Sequence, residues 1–552
     1  MRVLFAALAF LFPLLAALGQ SISEPLFRTD AATRAVLSGE ALVQQVPSLR
    51  VAELFLVLPF GSHAARAGLV GTLALALAGW FLYELTLAAA ARQGGSSKLD
   101  PWLALTACLT SVVGASWLVE SALLGGAAPA AALALGWLVL AERRDARSAS
   151  TGRESYSGFD ASIDGVVLGT LAAESVWCAL GLLVARSFFR PGQVRLGIWT
   201  FGCALATAAI WLLPALAHAG APATWTLELG DAFPWSTAIW LRDVGVVVGI
   251  AALGGVVTSV MAGVPGSLRL ALVLLFDLLA PAIVTGEVLP LEAHSSRAAL
   301  HLFAIGLWST FGMLGLRAFA ESAPAFRLPG ARALGTLTVV LALGASLAGA
   351  EAAVREVDWI PRRAVREFTD GTLGRLPPRA VVLLHSRALA DRLRTAQMAS
   401  ERPDVLLVPL DLLGDVRWMK RLLAEEPRLD QLVRDLNVQG TPSEHALSLL
   451  SDVRPVYAEA DPSWDRRLLE HLVPLPLLAG FSPHALGRSD RLAAWQKSSA
   501  DLATLQTTMK SGEQPDTATE SVVRFGLEHL VAALDKAGDK KMAALVQSSV
   551  TP

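Results

Sequence analysis

Between residues 3 and 350 the chain repeats one pattern, an apolar run about as long as a bilayer is thick followed by a short polar gap. A helix needs roughly 20 apolar residues to cross a hydrocarbon core. Ten runs approach that length: 3–19, 66–91, 101–118, 121–141, 163–186, 196–217, 244–262, 268–284, 298–316 and 333–350. A water-soluble globule cannot bury so many long apolar helices, so the pattern predicts an α-helical polytopic membrane bundle. Composition agrees. Hydrophobic residues are 53% and charged residues 17%, against about 25% charged in soluble domains. Many runs are rich in Ala, Leu and Gly, which suits close helix packing in lipid.

The pattern stops near residue 352. Beyond it arginines, acids and prolines occur throughout, and no run is long enough to span. The expected organisation is a transmembrane domain at 1–352, a soluble α/β domain at 353–488 and a helical tail at 489–552 that frays at its end. Ala380–His385 and Val405–Val408 read as strands behind proline breakers, with a helical pattern between them at Arg387–Ser400. Strand, helix, strand at this spacing predicts a parallel βαβ unit. Val416–Leu436 reads as helix and Val453–Ala458 as a third strand.

Two features of the membrane part have alternatives. Arg2, the apolar run to Leu18 and the small residues Gly19–Ser21 fit either a cleaved signal peptide or a retained first span; retention is preferred. Orientation follows the arginines and lysines of short loops. Arg92 and Lys98, the group Arg143 to Arg153, and the group Arg317 to Arg332 all predict cytoplasmic loops. Arg186, Arg190 and Arg195 do so as well, which a single span at 163–186 contradicts. A re-entrant hairpin across 160–189, bent near Glu174, removes the conflict; the alternative is that the charge rule fails at one loop. With the hairpin, 20–65, the short turn at Glu120, 218–243, 285–297 and everything after 351 are expected outside the cytoplasm, in an inner-membrane protein.

The net charge of −2 gives no basic surface for nucleic acid. Cys108, Cys178 and Cys203 all lie in apolar stretches and read as small hydrophobes. They offer no metal spacing, and no cofactor motif is visible. Chemistry must then come from polar residues near the membrane face. Asp30 follows the first span, and a carboxylate at the mouth of a bundle can act as a general base; an ordinary loop aspartate beside Arg28 is the plainer account. Glu120 lies between two apolar runs, where an acid is often only the wet tip of a turn. Glu174, Glu84 and Asp277 fall inside runs, where ionisable residues are functional candidates by default. For Glu84, near a helix end, snorkelling is the simpler account. The 218–243 segment carries Trp225, Asp231, Trp235, Trp240, Arg242 and Asp243. It reads as an interfacial anchor, or as a loop whose Arg242 pairs with a lipid phosphate.

Three stretches in this order resemble a known family. They are Asp30 through Leu58-Pro59-Phe60-Gly61-Ser62 and Arg66 to Leu82-Tyr83; Trp117 to Glu120; and Leu376-Pro377-Pro378, the strand 380–384, Arg402-Pro403-Asp404-Val405, Leu410–Leu413 and Trp418. The chain resembles bacterial relatives of the protein O-mannosyltransferase-like membrane proteins, in the GT-C glycosyltransferase superfamily. The resemblance implies a polyprenyl-phosphate sugar as donor and a protein or glycan acceptor at the extracytoplasmic face. It implies an acid in the first loop as base, which is Asp30 here, with Glu120 as the second acid. Arg28, Arg50, Glu174, Trp235 and Arg242 are the expected substrate-binding residues. Ala31-Ala32-Thr33 and Val46-Pro47-Ser48 depart from the family's run after the aspartate. That keeps open an inactive membrane scaffold, binding a partner through its soluble domain.

Overall fold

The computed structural model describes residues 2–21, 47–59, 63–94, 97–122, 127–151, 157–185, 194–218, 243–263, 267–283, 293–322, 331–359, 372–386, 389–390, 393–394, 397, 402–410, 413, 416–510 and 517–550. They form two compact units, Met1–Asp358 and Trp359–Pro552.

The first unit is helical: α1 (Arg2–Ser21), α2 (Pro47–Phe55), α3 (His63–Gly94), α4 (Asp100–Val112), α5 (Ala115–Ala122), α6 (Ala128–Thr151), α7 (Gly158–Glu174), α8 (Val176–Ala185), α9 (Val194–His218), α10 (Val246–Met261), α11 (Ser267–Ile283), α12 (Ala293–Ser322) and α13 (Ala331–Trp359). Among the described residues four helices are long and apolar enough to cross a bilayer, at Arg66–Gln93, Val194–Trp211, Ala298–Glu321 and Leu337–Val354. Counting α4 and α5, bent by 60° at their junction, as one span makes five. Each of the ten apolar runs has a helix, but several helices are short or broken. The bend at Val113–Gly114 lies seven residues before Glu120, so Glu120 sits on a helix and is buried, not at the wet tip of a turn.

Glycines let these helices approach closely. A Cβ on Gly71 would overlap the Ser121 carbonyl, one on Gly79 the Ala9 carbonyl, and ones on Gly255 and Gly315 the Phe311 and Ala251 carbonyls. Packing of this kind is what holds helices together where lipid is as apolar as the side chains.

One end of the unit is basic. Arg2 and Arg143 both pair with Glu84, at 3.0 and 3.1 Å, and Arg92 pairs with Glu142. Arg144 reaches Asp164 at 2.9 Å, and Trp137 donates to the same oxygen. Arg317, 2% exposed, lies between Asp100 at 3.2 Å and Glu321 at 2.9 Å and donates to the Ala90 carbonyl.

From this end α7 rises, opened by a capping box in which Ser157 and Asp160 satisfy each other's backbone N–H. It stops at Glu174. Ser175 is extended, with φ −157° and ψ 105°, and its hydroxyl accepts from Cys178 N to open α8. Helix α8 then runs back. Trp177 packs on Phe276 of α11, and Gly181, one turn on, lies against Val273. Ser267, where α11 begins, lines a small cavity with Arg92 and Glu142 at the basic end. The partners of α8 therefore descend toward that end as α8 proceeds. Helix α9 starts level with α7 and runs parallel to it. Trp199 donates to Ser162, Gly165 faces Thr200 and Ala204, and Gly169 faces Ala204 and Ala208. The pair α7–α8 is a helical hairpin bent at Glu174, and it returns the chain toward the basic end.

The second unit has a five-stranded sheet of order β2-β1-β3-β5-β4, built from β1 (Val381–Leu384), β2 (Leu406–Pro409), β3 (Val456–Ala458), β4 (Leu472–Val473) and β5 (Ala479–Phe481). Strands β1–β2 and β1–β3 pair in parallel; β5 pairs antiparallel with β3 and β4. All four residues of both β1 and β2 are buried, as expected of strands covered on both faces. Between the strands lie α14 (Val416–Glu425), α15 (Leu429–Gln439), α16 (Glu444–Ser451) and α17 (Arg466–Leu469). The tail forms α18 (Arg488–Lys510), α19 (Thr517–Lys536) and α20 (Lys540–Val550). Trp495, Leu502, Leu527, Leu534 and Val546 from these helices join the same apolar core as the strands.

Candidate functional site

Polar side chains gather at the end of the first unit opposite the basic one. The bend at Gly114 turns α5 away from the axis of α4 and presents Ser116 and Trp117 to the start of α12. There Trp117 Nε1 donates to the Leu302 carbonyl at 3.2 Å. Beside it, Gly245 takes φ +74°, a conformation that residues with a Cβ rarely adopt. That turn sets Asp243 just ahead of α10. Asp243 accepts a hydrogen bond from the Ser116 hydroxyl and lies 3.4 Å from His301 Nε2. On the other edge of the ring, Nδ1 meets Asp277 Oδ2 at 3.0 Å and Oδ1 at 3.3 Å. The turn ahead of α10 and the interiors of α11 and α12 thus bring an imidazole between two carboxylates that are 8% and 5% exposed.

The chemistry of this group follows from its geometry. A carboxylate only accepts hydrogen bonds, so His301 carries a proton on Nδ1 toward Asp277. Nε2 faces Asp243 Oδ2 at 3.4 Å, so the same reasoning puts a proton there as well. An imidazolium between two buried carboxylates balances their charge and orients them. Such a ring positions acidic groups around a bound hydroxyl and is not itself free to take that hydroxyl's proton.

Glu174 stands at the tip of the α7–α8 hairpin. Its carboxylate accepts from Ser48 N and, at 3.0 Å, from the Ser48 hydroxyl. Ser48 is in the first turn of α2, where backbone N–H groups lack helical partners and a negative charge is favoured. Glu174 thereby fixes the helix that follows segment 22–46. Trp177, one turn later, packs on Phe276, the neighbour of Asp277. The hairpin tip and the His301 group therefore share one end of the unit.

The residues expected from the sequence fall as follows. Asp30, Arg28, Trp235 and Arg242 lie outside the described residues. Glu120 is 4% exposed, and its Oε2 accepts from Ala127 N at 3.0 Å, just ahead of α6. Arg50 pairs with Glu53 at 2.9 Å, one turn along α2. Glu174 is joined to Ser48, as above. Asp277 lies in the His301 group. His301 itself was not among the expected residues. The available signal was an acid in one span and a histidine in the next, each needing a partner away from water.

No family model matches the chain, and no curated protein sequence matches it. Solved structures do. The crystal structure of ArnT from Cupriavidus metallidurans in the apo state matches at 12% identity and TM-score 0.51, over 88% of this chain and 98% of that one. The same protein bound to undecaprenyl phosphate matches at 12% identity and TM-score 0.49, over 83% and 92%. The apo oligosaccharyltransferase of Archaeoglobus fulgidus matches at 10% identity and TM-score 0.44, over 82% and 69%. At such identity the likeness is one of fold, and the apo ArnT match carries it: the chain has an ArnT-like fold and, with its long apolar helices, is an integral membrane protein.

Proposed function

We propose that the chain is a membrane glycosyltransferase that transfers a sugar from a polyprenyl-phosphate donor to an acceptor hydroxyl at the end opposite its basic loops. The observation that carries this reading is the His301 group, set at one end of a GT-C-like bundle beside the hairpin tip. That ArnT binds undecaprenyl phosphate supports the donor class. In this reading Arg92, Arg143 and Arg144 lie at the cytoplasmic end and His301 lies toward the outer face of the inner membrane.

Transfer needs a base for the acceptor hydroxyl and a way to steady the leaving phosphate. The resemblance assigns the base to Asp30. Among the described residues His301, held between Asp277 and Asp243, orients those two carboxylates. Asp243, with Ser116, would then hold the acceptor's hydroxyl. Glu120 and Glu174 act on position in this reading: one sets the start of α6, the other the start of α2. Arg28, Arg50 and Arg242 remain the candidates for the phosphate.

The experiment is sugar transfer from labelled polyprenyl-phosphate donors in membranes containing the wild type, Asp30→Asn or His301→Gln. Removing a general base lowers such rates by about 100- to 10,000-fold. That loss in Asp30→Asn, with the protein folded and inserted, identifies the base; a smaller loss in His301→Gln is expected of a residue that orients Asp243 and Asp277. Transfer at the wild-type rate by both would leave neither residue in its role. No transfer by the wild type from any donor would favour the scaffold instead.

A further inference from the structure

The second unit carries a group of side chains that the proposed transfer does not use. Chain order puts β1 in the middle of the parallel strands. Its crossover to β2 goes to one side, and β3 then pairs on the other. Such a switch point opens a crevice at the carboxyl ends of the two strands, where open α/β sheets bind ligands. The residues that follow β1 and β3 meet there. Glu459 Oε2 accepts from the backbone N–H of His385 at 2.9 Å and of Ser386 at 2.6 Å. Asp461 Oδ2 lies 3.3 Å from His385 Nδ1, and its Oδ1 accepts from Ser463 N at 2.7 Å. Helix α19 borders the crevice, with the His529 ring 6.5 Å from that of His385 and 4.1 Å from that of Phe525.

Two atoms in this group are unsatisfied. Glu459 is 1% exposed, and its Oε1 has no hydrogen-bond partner. His529 Nδ1 is buried and also has none. Buried polar atoms in native proteins nearly always find a partner, so a pair of them on facing elements indicates a missing one. The partner's chemistry can be narrowed. A phosphate would sit on the N–H groups that open the turn after β1, but Glu459 already occupies them. Among the described residues no three His, Cys, Asp or Glu side chains are grouped to hold a metal ion. Both carboxylates have their charge offset, Glu459 by two N–H groups and Asp461 by His385 and Ser463. What is left is one carboxylate lone pair and one imidazole nitrogen. A hydroxyl, which both donates and accepts, fits them. Phe525, 41% exposed, offers a flat apolar face beside them.

We propose that this crevice binds a neutral carbohydrate, with one ring hydroxyl between Glu459 and His529 and the sugar's apolar face on Phe525. The site concerns the second unit alone and stands whether or not the first transfers sugar. The test is saturation-transfer NMR on the full chain in a detergent without a sugar headgroup. The probes are methyl α-glucoside, methyl α-mannoside and, as an amine of similar polarity, ethanolamine. The expected result is transfer to glycoside ring protons that is lost in Phe525→Ala and in His529→Gln, with melting temperature unchanged. No transfer to either glycoside, or transfer that both folded variants retain, would overturn the proposal. So would transfer to ethanolamine alone, which would make the crevice an amine site. Sugar transfer from the lipid donor, measured separately, reads the first unit and fails or succeeds independently.

Discussion

A buried charge is stable only with its partners, and Arg317 shows how much rests on one residue. Its guanidinium is 2% exposed and joins α12 to Asp100 of α4 and to the Ala90 carbonyl of α3. Arg317→Ala would leave Asp100 buried without its cation. Removing one member of a buried pair costs about 3–5 kcal/mol, so we expect a clear fall in the denaturant or thermal midpoint of the purified protein. A second residue-scale test lies in the soluble unit. Arg402 donates two hydrogen bonds to Asp404, and Arg379 N donates a third, which holds the Asp404 carboxyl down at about 2. Its folded value lies below the unfolded one. The stabilisation is therefore present above the ordinary aspartate range, near 3.9, and is lost as pH falls toward 2. Titration of the Asp404 carboxyl by NMR should show its midpoint returning toward the ordinary range in Arg402→Gln. The Arg402-Pro403-Asp404 run was legible as a strand opening; that its two charges clasp each other was not, because the pairing depends on the turn between them.

At the scale of elements, helix contact is set by where the glycines face. Gly255 packs against the Phe311 carbonyl of α12, while Gly254, its neighbour, has nothing within 4 Å. Gly255→Leu should disrupt the α10–α12 contact and lower the yield of folded protein. Gly254→Leu should be tolerated. Equal behaviour of the two would contradict the packing described. The apolar runs announced the helices because length and hydropathy are local properties. The bend at Gly114 and the short β4 and β5 were not announced, because each is fixed by neighbours distant in sequence. The hairpin across 160–189 was one of two readings of the charge conflict at Arg195. Glu174, in the middle of that segment, was its expected bend, and α7 ends there. The His301 group needed two helices and the turn ahead of a third to meet, and spacing along the chain does not encode that.

At the scale of the whole molecule, one expectation concerns sides and one concerns chemistry. Helices α7 and α9 run parallel, so residues 186–195 should be on the same side as residues 142–153. Single cysteines in those two loops, in a chain without its three native cysteines, should label from the same side with an impermeant reagent. Opposite labelling would break the hairpin. The chemical claim is the central one, and it is tested most directly by donor turnover. The purified full chain in liposomes, supplied with a labelled polyprenyl-phosphate sugar and a hydroxyl acceptor, should release the polyprenyl phosphate at a saturable rate. His301→Gln should lower that rate while leaving the melting temperature in place. Donor that stays intact with every sugar and acceptor offered, at the level of liposomes without protein, would contradict the account.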